Sequence, residues 1–222
     1  MGCTTSTPRS PILISLDGNI GAGKSTLIAA LKLVASELTV LQEPVGDWLT
    51  LKNEEGESLL SLFYKDTPRW AYTFQNCAIL TRLIATTTAI EEYKPVPGKC
   101  PVLITERSVL TDRHVFAETM LEEGKMNKLE WDLYMKWFDA FAKKVPVKGL
   151  IYITTSPTLS KERIIRRGRL GEESISLEYL ERLDQQHKKW IRTTSLPTLS
   201  LNAEDSLEIN VDKIRIFCRQ FY

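Results

Sequence analysis

The chain has 222 residues, 43% of them apolar, enough for one buried core and in the size range of a single α/β domain. Its 29 basic and 28 acidic residues leave a net charge of +1, which argues against a nucleic-acid-binding surface and makes any basic function local. Cysteines at 3, 77, 100 and 218 lack CxxC spacing and read as reduced thiols in a cytoplasmic compartment, with no disulfide framework or zinc site.

At the N-terminus, Met1-Gly2-Cys3-Thr4-Thr5-Ser6 fits the minimal myristoylation pattern, with Cys3 beside it for palmitoylation. No polybasic patch follows. The stretch reads as a disordered tail over residues 1–10 rather than a membrane anchor, with one domain over 11–222. No apolar run reaches membrane-spanning length, and no secretory signal is visible.

Ile12–Leu16 has strand length and strand chemistry. The chain then turns through Gly18, Asn19, Ile20, Gly21, Ala22 and Gly23 into Lys24, Ser25 and Thr26, where a helical pattern begins and runs to Glu37. Gly18-x-x-x-x-Gly23-Lys24-Ser25 is a full P-loop. Its glycines let backbone N–H groups wrap a polyphosphate, Lys24 adds a point charge, and the Ser25 hydroxyl is a candidate Mg²⁺ ligand. The helix start behind them favours bound anion.

Leu38–Gln42 reads as a second strand, ended by Glu43-Pro44-Val45-Gly46-Asp47-Trp48. Pro44 stops the ladder and puts Glu43 at the carboxyl end of a strand, where a carboxylate could accept a proton from a hydroxyl. Local sequence does not separate this from a solvated charge. Ser58–Tyr64 reads as a short helix and Pro68–Tyr93 as a long one. Gln75, Ala78 and Arg82 share a face of the long helix, suiting a planar base with mixed donors and acceptors; a solvated Arg82 is the alternative.

A Pro/Gly loop, Lys94–Pro101, leads to a third strand, Val102–Thr105, that ends in Glu106-Arg107-Ser108. Glu106 is a candidate for Mg²⁺ and Arg107 for gripping an acceptor oxygen, against a local salt bridge between the two. Val109–Glu122 reads as one helix with Asp112 and Phe116 a turn apart. Asn127–Val145 opens on an Asn127…Glu130 capping signal and carries five aromatics, read as core plus an oligomer face. His114 and His187 read as structural.

Leu150–Ile153 is the fourth strand. The helix opened by Pro157 ends with Arg163, Arg166, Arg167 and Arg169 around Gly168, a candidate lid for transition-state charge. Ser176–Arg192 reads as a helix, Thr198–Leu201 as a last strand and Leu207–Phe221 as a last helix. No NKxD-type guanine signature follows strand four, which argues against a GTPase switch.

Taken together, GNIGAGKST, EPVGDW, YKDTPRWAYTFQ, ERSVLTDRHVFA, RIIRRGR and EYLERLDQQHKKW resemble the deoxynucleoside kinases from about Ile12 to Trp190. The resemblance implies a P-loop kinase fold: a five-stranded parallel sheet flanked by helices, with an arginine-rich lid. It implies ATP as phosphate donor, Mg²⁺ as cofactor, a small deoxynucleoside as acceptor, and a homodimer.

Residue by residue, Glu43 matches the family's general base and Arg107 the residue orienting the 5′-hydroxyl. Ser25 and Glu106 match the Mg²⁺ site, and residues Gly18 to Thr26 the phosphate cradle. Tyr64 and Glu172 match the pair on the sugar 3′-hydroxyl, with Glu173 leaving the register open by one. Gln75 matches the amide on the base, Phe74 and Phe116 the aromatics around it, and Trp48 the pocket lining. Arg163, Arg167 and Arg169 match the phosphate-gripping lid arginines.

Ala78, Arg82 and Asp112 resemble the deoxycytidine and deoxyguanosine kinases, implying preference for deoxycytidine or purine deoxynucleosides over thymidine. The stretch Asn202–Leu207 departs from the family pattern, which leaves the donor base open. Two other readings share the P-loop: a thymidylate-type nucleoside monophosphate kinase, and a nucleotide-binding scaffold subunit without turnover.

Overall fold

In the computed structural model, residues 10–35, 37–95, 100–169 and 171–222 are described. The Gly2–Cys3 lipidation pattern and part of the Pro/Gly loop before the third strand lie outside them.

Five strands form one sheet: β1 (Ile12–Gly18), β2 (Thr39–Leu41), β3 (Val102–Glu106), β4 (Val147–Thr154) and β5 (Thr198–Asn202). Their order is β2-β3-β1-β4-β5, and every pairing is parallel. All five carboxyl ends therefore open on one edge. β1 lies at the centre, where the strand order reverses, which is where open α/β sheets build their sites.

Alternation along β1 divides the interior. Leu13 faces a core built with Leu103, Leu150 and the helices α3 (Leu59–Lys65), α4 (Thr67–Glu91), α7 (Lys128–Phe141) and α9 (Leu177–Thr193). Ile14 and Leu16 face a second core with Ile104, Ile151, α1 (Lys24–Val34) and α10 (Leu207–Arg219). Each fully buried Leu or Ile in these layers contributes about 1.5–3 kcal/mol by leaving water. With both faces covered, β1 and β3 are buried strands of the kind parallel sheets require.

Several boundaries differ from the sequence reading. Glu43-Pro44 is followed by a helix, α2 (Val45–Thr50), because Pro44 occupies its N-cap. Pro44 thus starts an element as well as ending one. β4 starts at Val147, three residues before the expected Leu150, and Gly149 within it lies under Phe221: a β-carbon there would sit 2.7 Å from the Phe221 ring.

The expected single helix Val109–Glu122 is broken into α5 (Val109–Thr111), a π-helical turn over Asp112–Ala117, and α6 (Glu118–Glu122). That wide turn aims both Asp112 and Phe116 at the sheet's carboxyl edge. α8 (Pro157–Arg167) is capped by Ser156 and ends at Gly168 in the left-handed conformation. Among the described residues no helix is long and apolar enough to cross a membrane.

Candidate active site

A cavity of about 610 Å³ opens at the carboxyl edge of the sheet. The loop after β1 forms its floor, α3 and α4 one wall, the π turn another, and α8 with the segment behind it the roof. Every residue from Ile20 to Thr26 lines it. Gly18 and Asn19 do not. The Asn19 side chain turns away and donates to the Leu180 carbonyl at 2.8 Å, tying the loop to α9.

Gly21 has φ +79°, and a β-carbon there would lie 2.4 Å from the Ser160 carbonyl oxygen. Only glycine lets the loop pass this close to α8. Lys24 is buried, its Nζ donating to Gly18 O at 3.1 Å and Asn19 O at 2.8 Å. Burial brings its pKa down to about 7; the Arg107 charge pushes the same way, and Glu106, Glu43 and Asp17 oppose it.

Glu43 sits at the centre of a charge cluster. Arg107 Nη1 donates to both of its oxygens, at 2.8 and 2.7 Å, and Arg82 Nη2 donates to Oε1 at 3.0 Å. Burial favours the neutral acid, but Arg107, Arg82 and Lys24 outweigh it and hold the pKa at about 2. The carboxylate is therefore ionised at any physiological pH.

Arg82 is not solvated: it is 3% exposed and pairs bidentately with Asp112, at 2.8 and 3.2 Å, while Nη1 reaches the Glu106 carbonyl at 3.0 Å. Arg107 pairs with Glu43 and forms no salt bridge with Glu106. Glu106 instead accepts from the Ser25 hydroxyl at 2.7 Å. These two hard oxygen ligands fit a small divalent cation that keeps waters and takes phosphate oxygens for the rest of its shell. Among the described residues no cluster of three or more His, Cys, Asp or Glu side chains forms a cage.

The far end of the cavity is aromatic. Phe63 stacks on Phe74 with centroids 4.4 Å apart, and Trp48 meets Phe74 edge-on at 5.3 Å. Phe116 closes the opposite side beneath the Arg107 guanidinium, 4.9 Å from its ring centroid. Between these walls Gln75 is 1% exposed, and neither its amide nitrogen nor its oxygen has a partner. A buried amide without partners is costly unless a ligand supplies them. Ala78 lies one helical turn along, leaving space.

Under the roof, Glu172 is 3% exposed and lines the cavity, whereas Glu173 is exposed. Glu172 is paired with Arg167, and with Arg169 at 3.0 Å. Tyr64 faces it; burial and the Glu172 charge raise the phenol's pKa. Gly171, with φ +90°, rests on α3: a β-carbon there would meet Ser61 Oγ at 2.7 Å. Arg163 bridges the cradle and the chain after β5, donating to Ala22 O at 3.2 Å and Ala203 O at 3.1 Å.

All the nucleoside-side candidates thus line one cavity. The sequence reading did not pick Phe63, Tyr179, Asp205 and Asn210 as site residues and named Arg166 only within the lid's arginine run, yet all five line it too. Arg166 was visible in the arginine run, but the others carry no local signal. His187 is fully buried away from the cavity, bonded to Leu183 O and stacked on Tyr152, and burial pushes it down to about 3. His114 stacks on Trp190.

A sequence profile described as Deoxynucleoside kinase matches residues 14–220. Deoxycytidine kinase 2 of Gallus gallus is 38% identical, over 80% of this chain and 73% of its own length. Homo sapiens deoxycytidine kinase is 34% identical, over 92% and 90% respectively. The mitochondrial deoxyguanosine kinase of Xenopus laevis is 34% identical, over 89% and 83%.

Proposed function

Because the chain belongs to the deoxynucleoside kinase family, we propose that it transfers the terminal phosphoryl group of ATP to the 5′-hydroxyl of a deoxynucleoside, giving ADP and the 5′-monophosphate. The observation that carries this reading is the place of Glu43. Its ionised carboxylate lines the same cavity as the glycine-rich loop after β1 and the aromatic slot around the unpartnered Gln75 amide.

In this reading Gln75 reads the base edge while Phe74, Phe63 and Phe116 hold its plane. Tyr64 and Glu172 take the sugar 3′-hydroxyl. Arg107 orients the 5′-oxygen and Glu43 accepts its proton. With a pKa near 2 the carboxylate is a weak base. That suits a loose transition state, in which the proton leaves late. Lys24, Arg163, Arg167 and Arg169 stabilise the transferring charge. Ser25 and Glu106 would hold Mg²⁺, which when bound neutralises charge on the phosphate oxygens. Positioning supplies most of the acceleration.

The buried Arg82–Asp112 pair puts charged, hydrogen-bonding groups in the cavity that Gln75 lines, a poor neighbour for a thymine methyl. It supports deoxycytidine or purine deoxynucleosides over thymidine. A homodimer is supported by apolar side chains left open on two packed helices, Leu80 and Ile84 on α4 and Leu129, Leu133 and Trp137 on α7. Free thiols at Cys77, Cys100 and Cys218 suit a cytoplasmic setting.

A thymidylate-type kinase would need a basic clamp for the acceptor's phosphate where Glu43 stands. The test is a panel of four deoxynucleosides, with dCMP and dTMP beside them, against ATP and other triphosphates. Phosphorylation of deoxycytidine or a purine deoxynucleoside is the expected result. Turnover of the monophosphates alone would overturn it. Absence of transfer in a single turnover with labelled ATP would point to a scaffold.

A further inference from the structure

Arg107 is the only non-glycine among the described residues with positive φ, at 60°. A side chain stays in that region only when its surroundings over-determine it. Three consecutive residues of β1 do so here. Leu16 O accepts from Arg107 N at 2.9 Å. Asp17 Oδ1 takes the hydroxyl of Thr111, and that same hydroxyl oxygen accepts from Ser108 N at 3.0 Å. Gly18 O accepts from Lys24 Nζ at 3.1 Å and from Arg107 Nη2 at 3.4 Å.

Asp17 and Thr111 are both fully buried, and neither lines the cavity. The second oxygen of Asp17 has no partner. A valine pair would pack this spot without burying a carboxyl group, so packing alone does not account for it. Its one strong contact fastens the turn after β3 to the strand that leads into the phosphate cradle.

We propose that Thr111 is a positioning residue of this site: bonded to Asp17, it clamps the Glu106–Ser108 turn onto β1 and so aims the Arg107 guanidinium at Glu43. The inference rests on the kinase reading, in which Arg107 and Glu43 act at the acceptor hydroxyl. Thr111 touches neither substrate and acts through Arg107.

The experiment compares Thr111→Val and Thr111→Ser, with deoxycytidine and ATP varied separately and melting followed alongside. Thr111→Val keeps the shape and loses the hydroxyl. Its kcat should fall about tenfold or more, since small misplacements near reacting atoms are costly. Its KM for ATP should stay within about twofold, and Thr111→Ser should restore kcat to within about twofold of the unaltered enzyme. Unchanged kcat in Thr111→Val, or loss without rescue by serine, would overturn the inference. If Thr111→Val does not fold, Thr111→Ala carries the same comparison.

A crystal structure of the folded variant is a readout independent of turnover. Arg107 should leave Glu43, and an unchanged contact would overturn the proposal whatever the kinetics. An unaltered enzyme that phosphorylates no nucleoside would sink the kinase reading itself, and this second readout would still judge the clamp.

Discussion

Arg82 donates to both carboxylate oxygens of Asp112, at 2.8 and 3.2 Å, and with the second of those nitrogens also reaches Glu43, at 3.0 Å. One guanidinium thus joins the wall beside the base to the group proposed to take the proton. On the proposed reading, specificity and chemistry would share one buried charge.

That sharing fixes what the two partners should do when cut. Asp112→Ala leaves Arg82 buried with one carboxylate fewer and should destabilise the fold by about 3–5 kcal/mol. Adding Arg82→Leu removes the orphaned charge. It should recover part of the loss and raise the thymidine-to-deoxycytidine ratio of kcat/KM about tenfold. Thermal melts and competing-substrate assays read the two effects separately.

Glu43→Gln keeps the volume and removes the proton acceptor. Turnover should drop about a hundredfold or more while circular dichroism stays unchanged. A correctly folded variant with near-normal turnover would refute the base assignment.

The same carboxylate sets a pH dependence of stability. Its folded pKa of about 2 lies below the ordinary 4.5. Between those values the unfolded chain binds a proton that the folded chain does not, so stability is present above about pH 5 and drains away as pH falls toward 2. Unfolding free energies from denaturant titrations at about pH 6 and pH 3 should differ more in the unaltered protein than in Glu43→Gln, by about 2 kcal/mol.

Lys24 predicts the opposite traffic of protons. Its pKa is lowered to about 7 in the ligand-free site. A bound triphosphate should restore the ammonium form and raise that value. Binding near pH 8 should therefore take up a proton, and triphosphate affinity should weaken as pH climbs above about 7. Titration calorimetry in buffers of different ionisation heat detects the uptake, which Lys24→Met should abolish.

Gln75 should trade stability for function. Gln75→Leu relieves a buried amide that has no partner. The variant should melt at or above the temperature of the unaltered protein, while kcat/KM for the nucleoside falls by about one to two orders of magnitude. A fall in both would show that the amide is satisfied in the free protein.

The sheet, the glycine-rich loop after β1 and the positions of Glu43, Glu106 and Arg107 at strand tips were legible because they rest on local chemistry. Glycine spacing, a proline after Glu43 and apolar runs of strand length all act within a few residues. Arg82 was not legible on its own. Its partners are Glu43, Glu106 and Asp112, and only the fold brings them together. The π turn escaped for a related reason, since periodicity does not distinguish it from a helix. α2 was hidden because Pro44 serves as both a stop and a start. Phe63, Tyr179 and Asn210 are ordinary wall residues until the cavity exists.

Glu172 already occupies both Arg167 and Arg169 in the ligand-free protein. On the proposed reading, an incoming polyphosphate would have to win those cations from an internal rival, and a sugar hydroxyl reaching Glu172 would draw on the same carboxylate, so donor and acceptor should bind better together than apart.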